Sequence, residues 1–279
     1  MKWLLQSTGF LNSTLYETSV ILDELKIKWQ DFGVIPKEKR ITNLDNIFND
    51  NELFIIRGGI AALKIIDSNF EKLNITEDQK NIFNNGVDYD VKRFDQHYYS
   101  KIPEVNKILL NGVGTDYYTY SELEYKIFDK DMFIKPSKDL KSFNGGILEF
   151  GETLLNYLYR TGGNVQSSKK ETILVSEIKN IESEYRFFMY KDEILLCSKY
   201  LENGKLNIND YVPNIIKNKA IEYGKIYNPV DYYVMDLCTF NDSDEIKVVE
   251  YNCWNASGFY GGNIKYFIKR ITELKSINT

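Results

Sequence analysis

Val248–Gly262 reads VVEYNCWNASGFYGG, and the fold turns on how that stretch is read. Val248 and Val249 form a short apolar run behind the Asp/Ser-rich turn at Asn241–Glu245, the pattern of a buried strand. Glu250 and Asn252 follow two apart, and side chains two apart on a strand point to one face. A carboxylate and an amide oxygen on one face suit a hard cation such as Mg²⁺, which takes oxygen ligands and keeps substrate phosphates in its shell. Two polar residues at a solvent-facing strand end give the same letters, so the motif is weighed by its surroundings.

The hairpin that contains it supplies a geometric expectation. Tyr232–Phe240 and Ile246–Cys253 read as two strands around the Asn241–Glu245 loop. If Phe240 pairs with Ile246, register places Asp236 opposite Glu250. Asp236, Glu250 and Asn252 would then share one patch as metal ligands. Asp236 sits inside the apolar run YYVMDLC, where a carboxylate is costly to bury without a cation or donors. An acidic cluster on an exposed face is the competing reading. If a cation holds the patch together, removing any of the three should stop turnover and spare the fold.

Composition narrows the chemistry. The 279 residues, 43% hydrophobic, allow one large domain or two modest ones with a real core. The net charge of −5 gives no broad basic footprint, so no nucleic-acid partner is expected. Cys197, Cys238 and Cys253 lack C-x-x-C spacing and read as reduced thiols of a cytoplasmic protein. No apolar run approaches the ~20 residues of a membrane helix, so no membrane partner is expected. His97 is the single histidine, so the chemistry must run on carboxylates, lysines, arginines and metal.

Outward from the hairpin, the chain alternates strands and helices. Lys2–Gln6, a helix capped by Ser13 or Thr14, and Ile27–Val34 form a strand–helix–strand unit, which points to a parallel α/β arrangement. Leu53–Ile56 is a further strand running into Arg57-Gly58-Gly59 and a helical stretch from Ile60 to Asp67. A glycine pair between strand and helix lets backbone approach a ligand closely and the helix N-terminus attracts anions, and Arg57 there reads equally as an anion clamp or a surface ion-pair partner. Residues 68–118 are polar, with a short helix opened by Pro103, and the domain boundary is placed between about 95 and 120. Then come a strand at Met132–Lys135, a Lys/Gly loop, an amphipathic helix at Leu148–Arg160 and a strand at Thr172–Ile178. A hairpin of Glu184–Tyr190 with Ile194–Tyr200, a helix within Asn209–Tyr227 begun near Tyr211–Pro213 with Asp210 as cap, and a final helix at Gly262–Lys275 complete the pattern. Glu184 and Arg186 face the same way on their strand, where a guanidinium could meet phosphoryl charge or could simply pair with a carboxylate. Lys135, in the buried-looking FIKP, calls for an anion.

Together these pieces resemble the ATP-grasp superfamily, and most closely its phage- and bacteria-associated clade named for two arginines and one lysine. The resemblance runs from about Met132 to Tyr260 through FIKP, K-x-F-N-G, VSEI, EYR, S-x-Y, the lone strand Asp, and VEYN followed by SGFY. It implies an α/β protein in which two α+β lobes clasp ATP, preceded by an N-terminal α/β lobe, with the division placed at 1–115 and 116–279. It implies that Lys135 reaches the phosphates, that the glycine loop with Lys141 closes over them, and that Ser176, Glu177 and Ile178 read the adenine edge. Glu184 would take the ribose or metal shell, Arg186 the phosphoryl group in transfer, and Asp236, Glu250 and Asn252 the magnesium ions. Arg57, Ser257 and Tyr260 are assigned to the acceptor, although Ser257, Gly258 and Tyr260 could equally form a helix-capping turn.

The function expected is therefore ATP- and Mg²⁺-dependent joining of a carboxylate to an amine, small molecule or peptide, through an acyl phosphate. It would take place in the cytoplasm, or in that of the host if the chain is phage-encoded. An ATP-grasp kinase acting on a hydroxyl and a non-catalytic ATP-binding partner protein are the alternatives.

Overall fold

The computed structural model describes residues 1–7, 12–35, 40–43, 53–59, 77–138 and 142–277, and three sheets organise them. The first is built from β1 (Lys2–Gln6), β2 (Trp29–Ile35), β3 (Arg40–Thr42) and β4 (Phe54–Arg57), in the order β3-β2-β1-β4. β1 pairs in parallel with both β2 and β4, while β3 is an antiparallel edge. Parallel strands are covered on both faces, which is why Trp3, Leu4 and Leu5 are consecutive and all fully buried. Helix α1 (Asn12–Glu24) makes the crossover, and α2 (Glu77–Gly86) sets Phe83 against Phe32 and Ile56. The helix expected at Ile60–Asp67 lies outside the described residues.

From residue 88 to residue 115 the chain runs as a strap with two short helices, α3 (Gln96–Tyr99) and α4 (Pro103–Ile108). Asp95 caps α3, its side chain accepting from the His97 N–H at 3.0 Å, and Pro103 opens α4 as the sequence suggests. The strap touches both sheets that follow. The Leu110 N–H donates to the Val248 carbonyl at 2.8 Å, and the Ser176 hydroxyl donates to Asn111 Oδ1 at 2.9 Å.

The second sheet is antiparallel, ordered β5-β8-β6-β7, from β5 (Asp116–Thr119), β6 (Met132–Pro136), β7 (Gly146–Leu148) and β8 (Thr172–Ser176). Helix α5 (Tyr120–Leu123) follows β5 through a Thr119/Glu122 capping box. The helix expected over Leu148–Arg160 is two elements instead. Leu148 ends β7, and Gly151 turns the chain at φ 76°. Thr153 then caps α6 (Leu154–Thr161), its hydroxyl accepting from the Asn156 N–H, and Gly162 ends it at φ 72°. The apolar residues of both pieces share one core, so period alone merged them. The four-residue α7 (Val165–Ser168) leads into β8.

The third sheet runs β11-β10-β9-β12-β13, from β9 (Ile181–Tyr190), β10 (Glu193–Glu202), β11 (Lys205–Asn209), β12 (Tyr232–Phe240) and β13 (Lys247–Asn252). The β9–β10 hairpin turns at Lys191-Asp192 as expected, with Lys191 at φ 53°. β11 is missed by the sequence reading because its five residues are all exposed, which leaves only the Asn203-Gly204 turn as a signal. Helix α8 (Asn214–Ile226) begins later than expected. Asp210 does not cap it but accepts the Gly262 N–H at 2.6 Å. Helix α9 (Ile264–Ile277) closes the chain and packs its Phe267, Ile268 and Ile271 into a core shared by Trp3, Leu5, Phe188 and Trp254. No helix among the described residues is long and apolar enough to cross a membrane.

Candidate active site

The third sheet carries a row of polar side chains across its centre. Arg186 on β9 stands opposite Asp236 on β12, which stands opposite Glu250 on β13. The Asp236–Glu250 pairing expected from the hairpin is present, but the Phe240–Ile246 pair behind that expectation is not. Phe240 faces Ile181 on β9, and β13 pairs Lys247 with Cys238. An irregularity at Val249 takes up the one-residue offset, so that Leu237 pairs with Val248 while Asp236 still pairs with Glu250.

Asp236 is fully buried, and Arg186 grips it with both arms, Nε to Oδ1 at 2.9 Å and Nη2 to Oδ2 at 2.7 Å. Burial disfavours the charged guanidinium, but the Asp236 charge and its hydrogen bonds outweigh that and hold Arg186 protonated above its ordinary range. Asn252 Nδ2 donates to Asp236 Oδ2 at 3.2 Å and to Glu250 Oε1 at 2.9 Å. Glu250 Oε2 receives the Lys135 ammonium at 2.8 Å, and Lys135 comes from β6 of the second sheet. The ion pair thus spans the space between the two sheets.

That space is a cleft of about 680 Å³, of a size that suits a small organic ligand. Its walls are Phe133 and Lys135 from β6 with Ser137 just past it, the segment Phe143–Ile147 that runs into β7, the connection Glu177–Ile181, Glu184 and Tyr200, and Val249–Asn252. Glu184 is mostly buried, and that desolvation raises its pKa although the Tyr200 hydroxyl donates to Oε2 at 2.5 Å. Gly145 must be glycine for the loop to lie on the strand, since a Cβ there would stand 2.9 Å from the Lys135 Cβ.

The other expected residues do not all reach the cleft. Glu177 and Ile178 border the cleft, with the Glu177 side chain turned out to Lys130 at 2.6 Å. Ser176 is buried and faces the strap instead. Lys141 lies outside the described residues. Arg57 is not at the surface. It is 1% exposed, burial pulls its guanidinium down to about 9, and Nη1 and Nη2 donate to the backbone carbonyls of Trp254 and Ser257. It is neither a surface ion-pair partner nor a residue of the cleft wall. Ser257 is buried too, its hydroxyl folded back to the Cys253 carbonyl at 2.8 Å. Tyr260 stacks on Tyr200 with ring centres 4.9 Å apart and covers the Arg186 guanidinium at 4.9 Å.

The sequence reading missed the strap's share of the cleft, contributed by Phe94, Tyr99, Leu110 and Asn111. The two aromatic rings within a polar stretch were the available signal, because large rings are seldom left in loops without a core to join.

The donor set can be tested against a magnesium ion. Among the described residues no three His, Cys, Asp or Glu side chains gather as a metal cage, so a resident metal would need other oxygens. Glu250, with 31% of its side chain exposed, and the Asn252 amide offer two at the cleft wall. Asp236 backs them from below. Few protein oxygens completed by phosphate and water is the way Mg²⁺ is commonly held, and the residues fit it.

A clasping pair of sheets joined by a short connection, with a lysine from one and acidic residues from the other, defines a nucleotide-grasping protein. Residues 116–270 match the ATP-grasp domain of R2K clade family 2, more than half of the chain, and the protein belongs to that family. No curated protein matches it. Among solved structures it is similar to the D-alanine–D-alanine ligase of Bacillus anthracis complexed with ATP, at 13% identity and a TM-score of 0.58, over 98% of this chain and 92% of that one. It is also similar to the D-cycloserine synthetase DcsG, at 9% and 0.56 over 98% and 99%. A third is the macrocyclase MdnC of Microcystis aeruginosa MRC bound with its precursor peptide, at 12% and 0.51 over 97% and 99%. At these identities the likenesses establish the ATP-grasp fold.

Proposed function

We propose that the protein is an ATP- and Mg²⁺-dependent ligase that joins a carboxylate to an amine. The observation that carries the reading is the meeting of Lys135 with Glu250 and Asn252 across one cleft. A phosphate-binding cation and hard oxygen donors thereby come within a few ångströms of each other. The similar structures named as a ligase, a synthetase and a macrocyclase support it.

In this reading Lys135 moves its ammonium from Glu250 to the phosphates, and the Phe143–Ile147 loop covers them. Glu177–Ile178 meets the base, Glu184 accepts from a ribose hydroxyl, and Glu250 and Asn252, with Asp236 behind them, hold the metal. Bound there, Mg²⁺ would neutralise phosphate charge. Phosphoryl transfer asks a protein mainly for such positioning and charge neutralisation. An acceptor carboxylate attacks the γ-phosphorus, giving an acyl phosphate and ADP. The amine then attacks the acyl carbon, phosphate leaves, and the amine proton passes to solvent. Arg186, locked on Asp236, acts by fixing the row beneath the transfer rather than by reaching into it.

The test is ADP release with pooled amino acids and peptides, with hydroxylamine present to capture acyl phosphate as a hydroxamate. ATP-dependent hydroxamate supports the ligase. A stable phosphorylated alcohol without hydroxamate would make the protein a kinase, and failure to bind nucleotide would end both readings.

A further inference from the structure

Arg57 is an arginine the cleft does not use. Neither it nor any of residues 253–260 lines the cleft, yet its two arms take the carbonyls of Trp254 and Ser257, and its Cζ lies 4.2 Å from the centre of the Phe259 ring. Asn255 pins the same loop. Its Nδ2 donates to the Ile56 carbonyl at 2.5 Å, its Oδ1 accepts the Asp88 N–H at 2.9 Å, and its own carbonyl accepts the Gly58 N–H at 2.8 Å.

The opposite end of the loop touches the row of charges. The Gly258 carbonyl accepts from Arg186 Nη1 at 3.4 Å, and Tyr260 covers that guanidinium while stacking on Tyr200, which in turn holds Glu184. A peptide unit is planar, so fixing its carbonyl fixes the direction of the next N–H. With the carbonyls of 254, 257 and 258 all held by arginine, the loop has little freedom left in its backbone.

We infer that Arg57 is a positioning residue: it holds the Trp254–Tyr260 loop by its backbone so that Gly258 and Tyr260 meet Arg186 in one geometry. The inference rests on the ligase reading for its consequence in turnover, not for the clamp itself. A guanidinium is required because its planar fork reaches two carbonyls at once, which an ammonium cannot match.

The experiment compares the full chain with Arg57→Met and Arg57→Lys by hydrogen–deuterium exchange, MgADP calorimetry and ATP turnover with the pooled amino acids and peptides. Arg57→Met should speed exchange at 255–262 by about tenfold or more, as expected for losing charge-assisted contacts. Exchange in β12 and β13 should stay at the wild-type rate. MgADP affinity should stay within about twofold, turnover should fall at unchanged KM for ATP, and Arg57→Lys should restore part of both losses. Unchanged exchange at 255–262, or a loosened loop with wild-type turnover, overturns the inference. If wild type does not bind MgADP, the cleft reading fails, and the exchange arm still decides the clamp. Should Arg57→Met not fold, Arg57→Lys carries the test, with faster exchange confined to 255–262 as the expected result and wild-type exchange overturning it.

Discussion

Asp236 shows how far single residues could be read. Its burial in an apolar run demanded a counter-charge, and the sequence offered a cation from solution. The structure supplies Arg186 first, because the residue opposite on the neighbouring strand is set by a long-range pairing that local spacing does not encode. The expectation that Asp236→Ala spares the fold therefore changes. Removing one partner of a buried pair leaves the other charge uncompensated and costs about 3–5 kcal/mol, so Asp236→Ala should melt far below wild type. Glu250→Gln should not: Glu250 is 31% exposed at the cleft wall, the amide keeps an oxygen for Lys135, and stability should stay within about 1 kcal/mol of wild type while ATP turnover disappears. Equal melting of the two variants would count against the buried clamp.

Glu184 adds a pH dependence. Its folded pKa is raised above the ordinary 4.5 by desolvation, so between those two values the folded chain binds more protons than the unfolded one. Its contribution to stability therefore falls as pH rises through that window. Glu184→Gln removes the titration, and its melting temperature should gain on wild type as pH climbs above 4.5. Parallel melting curves across that range would show that Glu184 does not carry this burden.

Elements were legible where burial writes a period into the sequence and illegible where it does not. β1, β4, β8 and β12 stood out as apolar runs, and the β9–β10 turn fell where it was placed. β11 is exposed throughout, and the Leu148–Arg160 stretch joined the last residue of a strand to a helix beneath one apolar pattern. The irregularity at Val249 is invisible locally, since nothing in the letters separates a bulged strand from a straight one. The glycine loop carries its own prediction. Tyr157 of α6 donates its hydroxyl to the Asn144 carbonyl at 2.9 Å, tying the loop to the helix. Losing one neutral hydrogen bond costs about 1 kcal/mol, so Tyr157→Phe should weaken ADP binding about fivefold by calorimetry. Unchanged affinity would mean the loop is held from elsewhere.

For the whole molecule, the division placed at residues 115 and 116 meets a core that runs across it. Trp3, Leu5 and Ile55 from the first sheet join Phe188, Leu195, Trp254 and Phe267 from the last segments, and Lys275 of α9 pairs with Asp88 at 2.7 Å. Fragment 116–279 would expose one side of that core. We expect it to lack the cooperative thermal transition of the full chain, read by circular dichroism, because large apolar side chains lose about 1.5–3 kcal/mol each when returned to water. A sharp transition in the fragment would restore the division as a folding boundary.

The grip of β4 on the loop after β13 also bears on how such a chain could be re-engineered. Grafting a foreign first lobe onto this scaffold would bring an unmatched partner to the carbonyls that Arg57 now holds and to Asn255, which reaches back to Ile56 and Gly86. The exchangeable cassette is therefore discontinuous in sequence: residues 1–88 travel with 253–277, and the splice sites fall in the strap and just past Asn252.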